Sequence, residues 1–306
     1  MQKELKGKAI ALAINKVSKA LIQEYDLSPS MRLIQVGEDP ASSYYVQSIV
    51  NTASRLGCKA ELLSLSKTAS QEDLISVIQA ANEDTGVHGI MLQKPLPKTM
   101  DDSQINMSID PNKDIDALHP LNLGKILMQE DGFLPNTPAA VYYTLKYYDI
   151  DPMGKNVVVL GRSNVVGKPL ANMLLWKKPY ANATVTVCHS RTRNLKEICQ
   201  NAEILIAAIG KANFVSPDMI KDGAVLIDVG INEIIQPDGS SSYVGDIDYD
   251  ACYEKAQAIT PVPGGIGRIT TSLLYLNLVK ACLIAKKINK NVDEYVDLIF
   301  GENQKK

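Results

Sequence analysis

Residues 155–169 read KNVVVLGRSNVVGKP, and the fold class turns on them. KNVVVLG (155–161) is an apolar run too short for a core helix. It reads as a strand buried on both faces, the kind that parallel sheets use. KPLANMLLW (168–176) follows with helical spacing. The loop between them, GRSNVVG (161–167), is not the GxGxxG dinucleotide fingerprint, but its mechanics are the same. The strand ends in Gly161, a small polar residue follows, and Gly167 stands where a helix must approach closely. The helix N-terminus then offers amides to a pyrophosphate. An ordinary strand–turn–helix corner would account for this loop equally well.

The next strand sharpens the reading. ATVTVCHS (183–190) runs into His189-Ser190-Arg191-Thr192-Arg193. A site selective for NAD usually carries an Asp or Glu at the end of its second strand, for the ribose hydroxyls. None stands here. A carboxylate would repel a 2′-phosphate, whereas arginine and hydroxyl donors hold one. Arg162, in the first loop, can reach the same phosphate and makes the better pair with Ser190. Arg191 and Arg193 are, taken singly, as well explained as solvated charges. The expected cofactor is NADP in preference to NAD.

Outward from this core, NLKEICQNA (194–202) reads as a helix, and ILIAAIG (204–210), AVLIDVG (224–230) and AITPVPGG (258–265) continue the strands. The pattern from Thr271 to Lys287 is helical again. Upstream, RLIQVG (32–37), AELLSLS (60–66) and HGIMLQ (88–93) alternate with helical stretches over the first 25 residues, after GEDP (37–40) and over 71–82. Ser42 or Ser43 is available to cap the second of these helices. Alternation of this kind predicts an α/β protein of two units with helices on the faces of parallel sheets, joined near residue 140. The last helix can return to the first unit, and the tail from Gly301 to Lys306 is expected to fray.

Composition narrows the function classes. The chain has 306 residues, 45% apolar and 22% charged, with a net charge of −2. That balance suits a globular protein of two medium domains and gives no reason to expect nucleic acid or an anionic membrane as partner. Apolar stretches such as Ile204 to Ile209 are far short of a membrane span. The five cysteines form no CxxC pair, and with no signal peptide they read as reduced thiols of a cytoplasmic protein. Three separated histidines, His88, His119 and His189, make a metal site unexpected.

One helix poses a question of charge. PASSYYVQSIVNTAS (40–54) places Tyr45 and Ile49 one turn apart on one face and carries no acid, His, Lys or Arg. Its flanks join a longer series: LKGKAIA, VGEDPASSYYV, GIMLQKPLP, KDIDALHPLNLG, LPNTPAA, VVLGRSNVVGKP, VCHSRT, IDVGIN, VGDI and ITPVPGGIG. In this order they resemble the methylenetetrahydrofolate dehydrogenase/methenyltetrahydrofolate cyclohydrolase family over nearly the whole chain. The resemblance implies an α/β folate domain and a Rossmann-like NADP domain with a cleft between them, usually in a homodimer. By it, the folate domain would take 1–140, completed by 271–306, and the NADP domain 141–270. Such enzymes oxidise methylene-tetrahydrofolate with NADP and hydrolyse the methenyl product to formyl-tetrahydrofolate.

The resemblance also implies roles. Tyr45 would stack on the substrate's aromatic ring. Gln93 matches the Gln of the family's strand-end motif, and Asp116 would hold the pterin amide and amine, which suits a carboxylate accepting two parallel N–H bonds; these three are the expected catalytic and substrate-binding residues. Gly161, Arg162, Ser163, Gly167, Ser190 and Ile231 would contact the cofactor. Pro263, Gly264 and Gly265 would border the cleft. Read singly, Tyr45 could be a core aromatic, Gln93 a strand cap and Asp116 a turn former.

The departure lies at Ile49. The family places a lysine there, the residue most tied to proton transfer, and isoleucine can neither donate nor accept a proton. Lys94 follows Gln93 where the family has an apolar residue, and it could return an amine to the pocket, although neighbours along a strand face opposite ways. Asn136 and Arg268 stand at a common cysteine and a common proline. The expectation is a dehydrogenase whose cyclohydrolase activity is weak or absent. The alternatives are a fully bifunctional enzyme, a silent folate-binding relative, and a Rossmann dehydrogenase for another small substrate.

Overall fold

The structure is a computed structural model that describes residues 3–37, 40–235 and 240–304; the side chains of 40–45 and 302–304 lie outside the description. The chain forms two compact units.

One unit comprises Ala13–Lys125, Asp131–Leu134 and Thr271–Lys306. Its sheet has strands β1 (Ser30–Val36), β2 (Lys59–Leu65) and β3 (Gly89–Leu92), all parallel, in the order β2-β1-β3. Because side chains alternate along a strand, β1 feeds two cores. Met31 and Leu33 pack with Val46, Ile49, Ala53 and Leu56 of α2 (Pro40–Leu56) and with Leu274, Tyr275 and Leu278 of α10 (Gly267–Ala285). Ile34 packs on the other side with Leu74 and Ile78 of α3 (Gln71–Glu83) and Ile105 of α4 (Asp102–Ser108). Ser70 and Asp73 form a reciprocal capping box at the start of α3, worth about 1 kcal/mol.

The other unit comprises Met1–Leu12, Ile126–Glu130 and Pro135–Thr270. Strands β4 (Asn156–Leu160), β5 (Thr184–Cys188), β6 (Ile204–Ala207), β7 (Val225–Asp228) and β10 (Ala258–Ile259) form a parallel sheet in the order β10-β7-β6-β4-β5. All four residues of both β6 and β7 are buried, as a sheet covered on both faces demands. Residues 3–5 add to its β10 edge, where Leu5 donates to the Ile259 carbonyl and Ile259 to that of Lys3. Helices α6 (Asn136–Tyr147), α7 (Gly167–Leu174), α8 (Leu195–Gln200) and α9 (Tyr249–Tyr253) complete this unit. The division between the units falls within α1 (Gly7–Glu24), α5 (Pro120–Met128) and α10.

Several elements differ from the sequence reading. Helix α2 starts at Pro40, so Ser42 and Ser43 lie inside it rather than at its cap; proline is suited to a first helical position because its missing N–H costs nothing there. Helix α11 (Val292–Gln304) continues through residues expected to fray. The antiparallel hairpin of β8 (Asn232–Ile235) and β9 (Ser241–Val244) was not foreseen. Helix α10 has the length and apolarity of a membrane span, contrary to the expectation of short apolar stretches only. Yet 67% of its apolar window is buried inside the protein, which marks a core helix.

Candidate active site

In the Rossmann-like unit the connections from β4 lead to β5 on one side and back to β6 on the other. This leaves a switch point between β4 and β6, where such sheets bind ligands at their carboxyl ends. Two glycines make that point close-packed. Gly161 has φ +122°, and a Cβ there would collide with the Ala208 carbonyl at the end of β6. A Cβ on Gly167 would collide with the Gly161 carbonyl, so α7 begins against the loop. The Ser163 hydroxyl accepts the Val166 amide at 3.0 Å, and no side chain caps α7. The Lys168 amide donates to the Ser163 carbonyl at 3.1 Å and Pro169 has no N–H, so of the first turn it is the Gly167 amide, with the loop before it, that can meet an anion.

The second strand end stands beside the first, since the Gly161 amide donates to the Cys188 carbonyl at 2.9 Å. Arg162, Ser190, Arg191 and Arg193 are all exposed. The turn after β5 is tied down by His189, whose amide donates to the Thr192 hydroxyl at 2.8 Å and whose Nδ1 accepts the Arg191 amide at 3.1 Å. This fit suits an extended dinucleotide carrying an extra phosphate. The loop lets a diphosphate approach the backbone, and guanidinium and hydroxyl donors stand at the neighbouring strand end.

Ile231 follows β7 and is 62% exposed, so its position is open to a ligand. After β10, Gly264 takes φ +114° and Gly265 is buried. The Gly7 amide donates to the Gly264 carbonyl at 2.8 Å, which seats this loop on the start of α1. Arg268 is exposed in the first turn of α10.

In the other unit, Gln93 directly follows β3, and its amide donates to the Ile34 carbonyl at 2.8 Å. The Gln93 side chain donates to the Lys94 carbonyl, also at 2.8 Å. The Lys94 ammonium lies 3.0 Å from the Asp102 carboxylate at the start of α4. Residues 113–116 run beside β3, with Ile90 paired to Asp114. The two acids of KDID differ sharply. Asp114 is 1% exposed and accepts the His119 amide at 2.7 Å and the Asn122 side chain at 2.9 Å. Burial pushes its carboxyl upward, and these donors pull it back. Asp116, two residues on, is only half-buried.

Ile49 is fully buried in the cluster that holds Met91 and Ile115, near neighbours in the chain of Gln93 and Asp116. The Tyr275 hydroxyl donates to the Ile49 carbonyl at 2.6 Å, pinning α2 to α10. The one thiol in that cluster, Cys58, is pushed up to about 12 by burial. Tyr45 lies in α2, but its side chain is outside the described part of the structure.

The sequence matches the catalytic domain of tetrahydrofolate dehydrogenase/cyclohydrolase over residues 5–116 and the NAD(P)-binding domain of the same enzymes over 135–286. The chain belongs to the tetrahydrofolate dehydrogenase/cyclohydrolase family. It is 45% identical to the bifunctional protein FolD of Campylobacter concisus over 292 residues, which covers 94% of this chain and 100% of that one. Among solved structures it is similar to the bifunctional FolD of Campylobacter jejuni, with a TM-score of 0.86 and 37% identity over 94% of this chain and 99% of that one. The Trypanosoma brucei methylenetetrahydrofolate dehydrogenase-cyclohydrolase, solved with NADP and an inhibitor, gives a TM-score of 0.86 at 32% identity, over 94% and 100%.

Sequence reasoning about this family member passed over three buried polar groups. Asp228 and Asp246 lie in the quoted IDVGIN and VGDI motifs, but an acid in a sequence carries no mark of burial. Tyr275 gave no signal beyond its place in an apolar helix.

Proposed function

We propose that this protein oxidises methylene-tetrahydrofolate to methenyl-tetrahydrofolate with NADP in one-carbon metabolism, and that its cyclohydrolase activity is weak or absent. The observation that carries the second half is the environment of Ile49: fully buried, among apolar side chains, with an inert thiol and a tyrosine already engaged. Among the described residues, no group packed in that cluster is placed to move a proton at neutral pH.

The two half-reactions ask different things of the chain. When bound, NADP supplies the hydride acceptor. The chain then has only to hold the methylene carbon against the nicotinamide, a matter of position. In this reading Asp116 takes the pterin N–H groups, Tyr45 stacks on the substrate, and Gln93 orients it. Pro263, Gly264 and Gly265 add main-chain contacts. Gly161, Ser163 and Gly167 receive the diphosphate, Arg162 and Ser190 the 2′-phosphate, and Ile231 the nicotinamide end. Opening the methenyl bridge needs an activated water and proton transfer, for which a general acid or base contributes about a hundred- to ten-thousand-fold.

The corresponding division assigns folate to 1–140 with 271–306, and NADP to 141–270. The reading extends to a cytoplasmic homodimer, which the family resemblance implies. The names of those relatives also favour a second reading, a fully bifunctional enzyme. Mixing purified protein with methylene-tetrahydrofolate and NADP tests the first step: NADPH absorbance should rise, and a flat trace would leave a silent folate binder.

A further inference from the structure

The loop after β6 is held by a carboxylate to which the reading above gives no role. Asp246, two residues past β9, is fully buried. Its Oδ2 accepts the amides of Ile209 at 2.7 Å and Gly210 at 3.0 Å, and its Oδ1 accepts the amide of Lys211 at 2.7 Å and the Asn232 side-chain amide at 3.0 Å. Asp246 is itself seated by Asp228 at the end of β7. The Asp228 Oδ1 accepts the amides of Gly230 and Asp246, each at 2.9 Å, and its Oδ2 accepts that of Ile247 at 2.7 Å. Glycines permit the approach in both directions. A Cβ on Gly230 would collide with the Asp246 carboxylate, and one on Gly245 with that of Asp228.

A carboxylate that gathers three consecutive amides also sets the direction of the peptide groups carrying them. In a planar trans peptide the carbonyl points opposite to the N–H, so the carbonyls of Ala208, Ile209 and Gly210 turn away from Asp246. The Ala208 carbonyl duly lies against Gly161, at the switch point. Two kinds of strand end therefore meet there. The end of β4 leads into the glycine loop and the Gly167 amide at the α7 entry. The end of β6 presents acceptors, because its donors are consumed.

We infer that Asp246 is a positioning residue for the nicotinamide-riboside half of the cofactor, one that turns the β6 loop into an acceptor surface. Such a surface suits ribose hydroxyls and a carboxamide NH₂ and repels a diphosphate, so it fixes which half of the dinucleotide lies over β6 and β7. This rests on the NADP reading proposed above.

The test is binding, independent of turnover. Asp246→Asn keeps the shape but sets a donor against the amides. NADP and adenosine 2′,5′-bisphosphate, which carries only the half assigned to Arg162 and Ser190, are titrated against parent and variant. NADP affinity should fall about tenfold, the scale of one lost charged hydrogen bond, with the bisphosphate unchanged. Equal loss for both ligands would mean a merely structural acid, and no loss for either would also overturn the inference. Should Asp246→Asn fail to fold, Asn232→Ala removes one of the four donors and should give the same split at about threefold; a loss shared by both ligands, or none, overturns it there too. If the parent protein binds neither ligand, the NADP reading itself has failed.

Discussion

Ile49 and Asp246 are both fully buried, one in each unit, yet they have opposite chemistry. Asp246 sits in the interior as the acceptor of four N–H groups, which offset the cost of taking a carboxyl group out of water. Ile49 is packed among apolar side chains. The lesson is that polar groups needed to shape a backbone persist with their full set of partners. On the function proposed for this protein, a group needed only to move a proton can be replaced by packing without disturbing the fold around it.

The contrast breaks most visibly on the cofactor side. Gly161→Ala puts a Cβ against the Ala208 carbonyl at φ +122°. It should weaken NADP binding by about a hundredfold, as misplacement of a binding loop by an ångström does. Binding within a few-fold of the parent, by titration, would show that the switch point is looser than described.

A smaller effect sharpens the electrostatic half of the comparison. Burial, reinforced by the nearby Asp246, pushes the Asp228 carboxyl up to about 7, against the pull of three amides. The folded chain then holds a proton there that the unfolded chain has released, from above the ordinary carboxylate range up to about 7. Stability from this group falls as pH rises through that window and levels off above it. The thermal midpoint should drop by about 5 °C between about pH 5 and about pH 8. Asp228→Asn should flatten that slope, and an unchanged slope in the variant would place the titration elsewhere.

The smallest effect concerns the Ile49 helix. Tyr275→Phe deletes only the hydroxyl on the Ile49 carbonyl and should cost about 1 kcal/mol in urea unfolding. A variant as stable as the parent would remove the claim that this bond anchors α2 to α10.

Much of this was legible in the sequence. Strands β1 to β7 fall within a few residues of their apolar runs; β3, β4, β6 and β7 announce themselves by composition as buried parallel strands do, whereas the edge strands β2 and β5 are largely exposed. Strand β10 is only two residues long because AITPVPGG turns at its prolines, which cannot donate to a ladder. Helix α6 escaped notice because Pro138 to Leu145 are all buried, so no polar face gave it a period. The close approach at Gly161 and Gly167 was legible because both lie in one short strand–turn–helix loop. Asp228 and Asp246 were not, since only the folded chain shows which acid gathers amides and which meets solvent. Lys94 is the converse case. Beside a strand end it invited a catalytic reading, and its ammonium is directed to Asp102.

The account stands or falls on the two half-reactions measured side by side, on the parent protein and on Ile49→Lys. The parent should reduce NADP with methylene-tetrahydrofolate while opening methenyl-tetrahydrofolate no faster than buffer does, and the lysine variant should gain about a hundredfold or more in that hydrolysis. Brisk hydrolysis by the parent, with isoleucine in place, would contradict the division of labour drawn from that side chain.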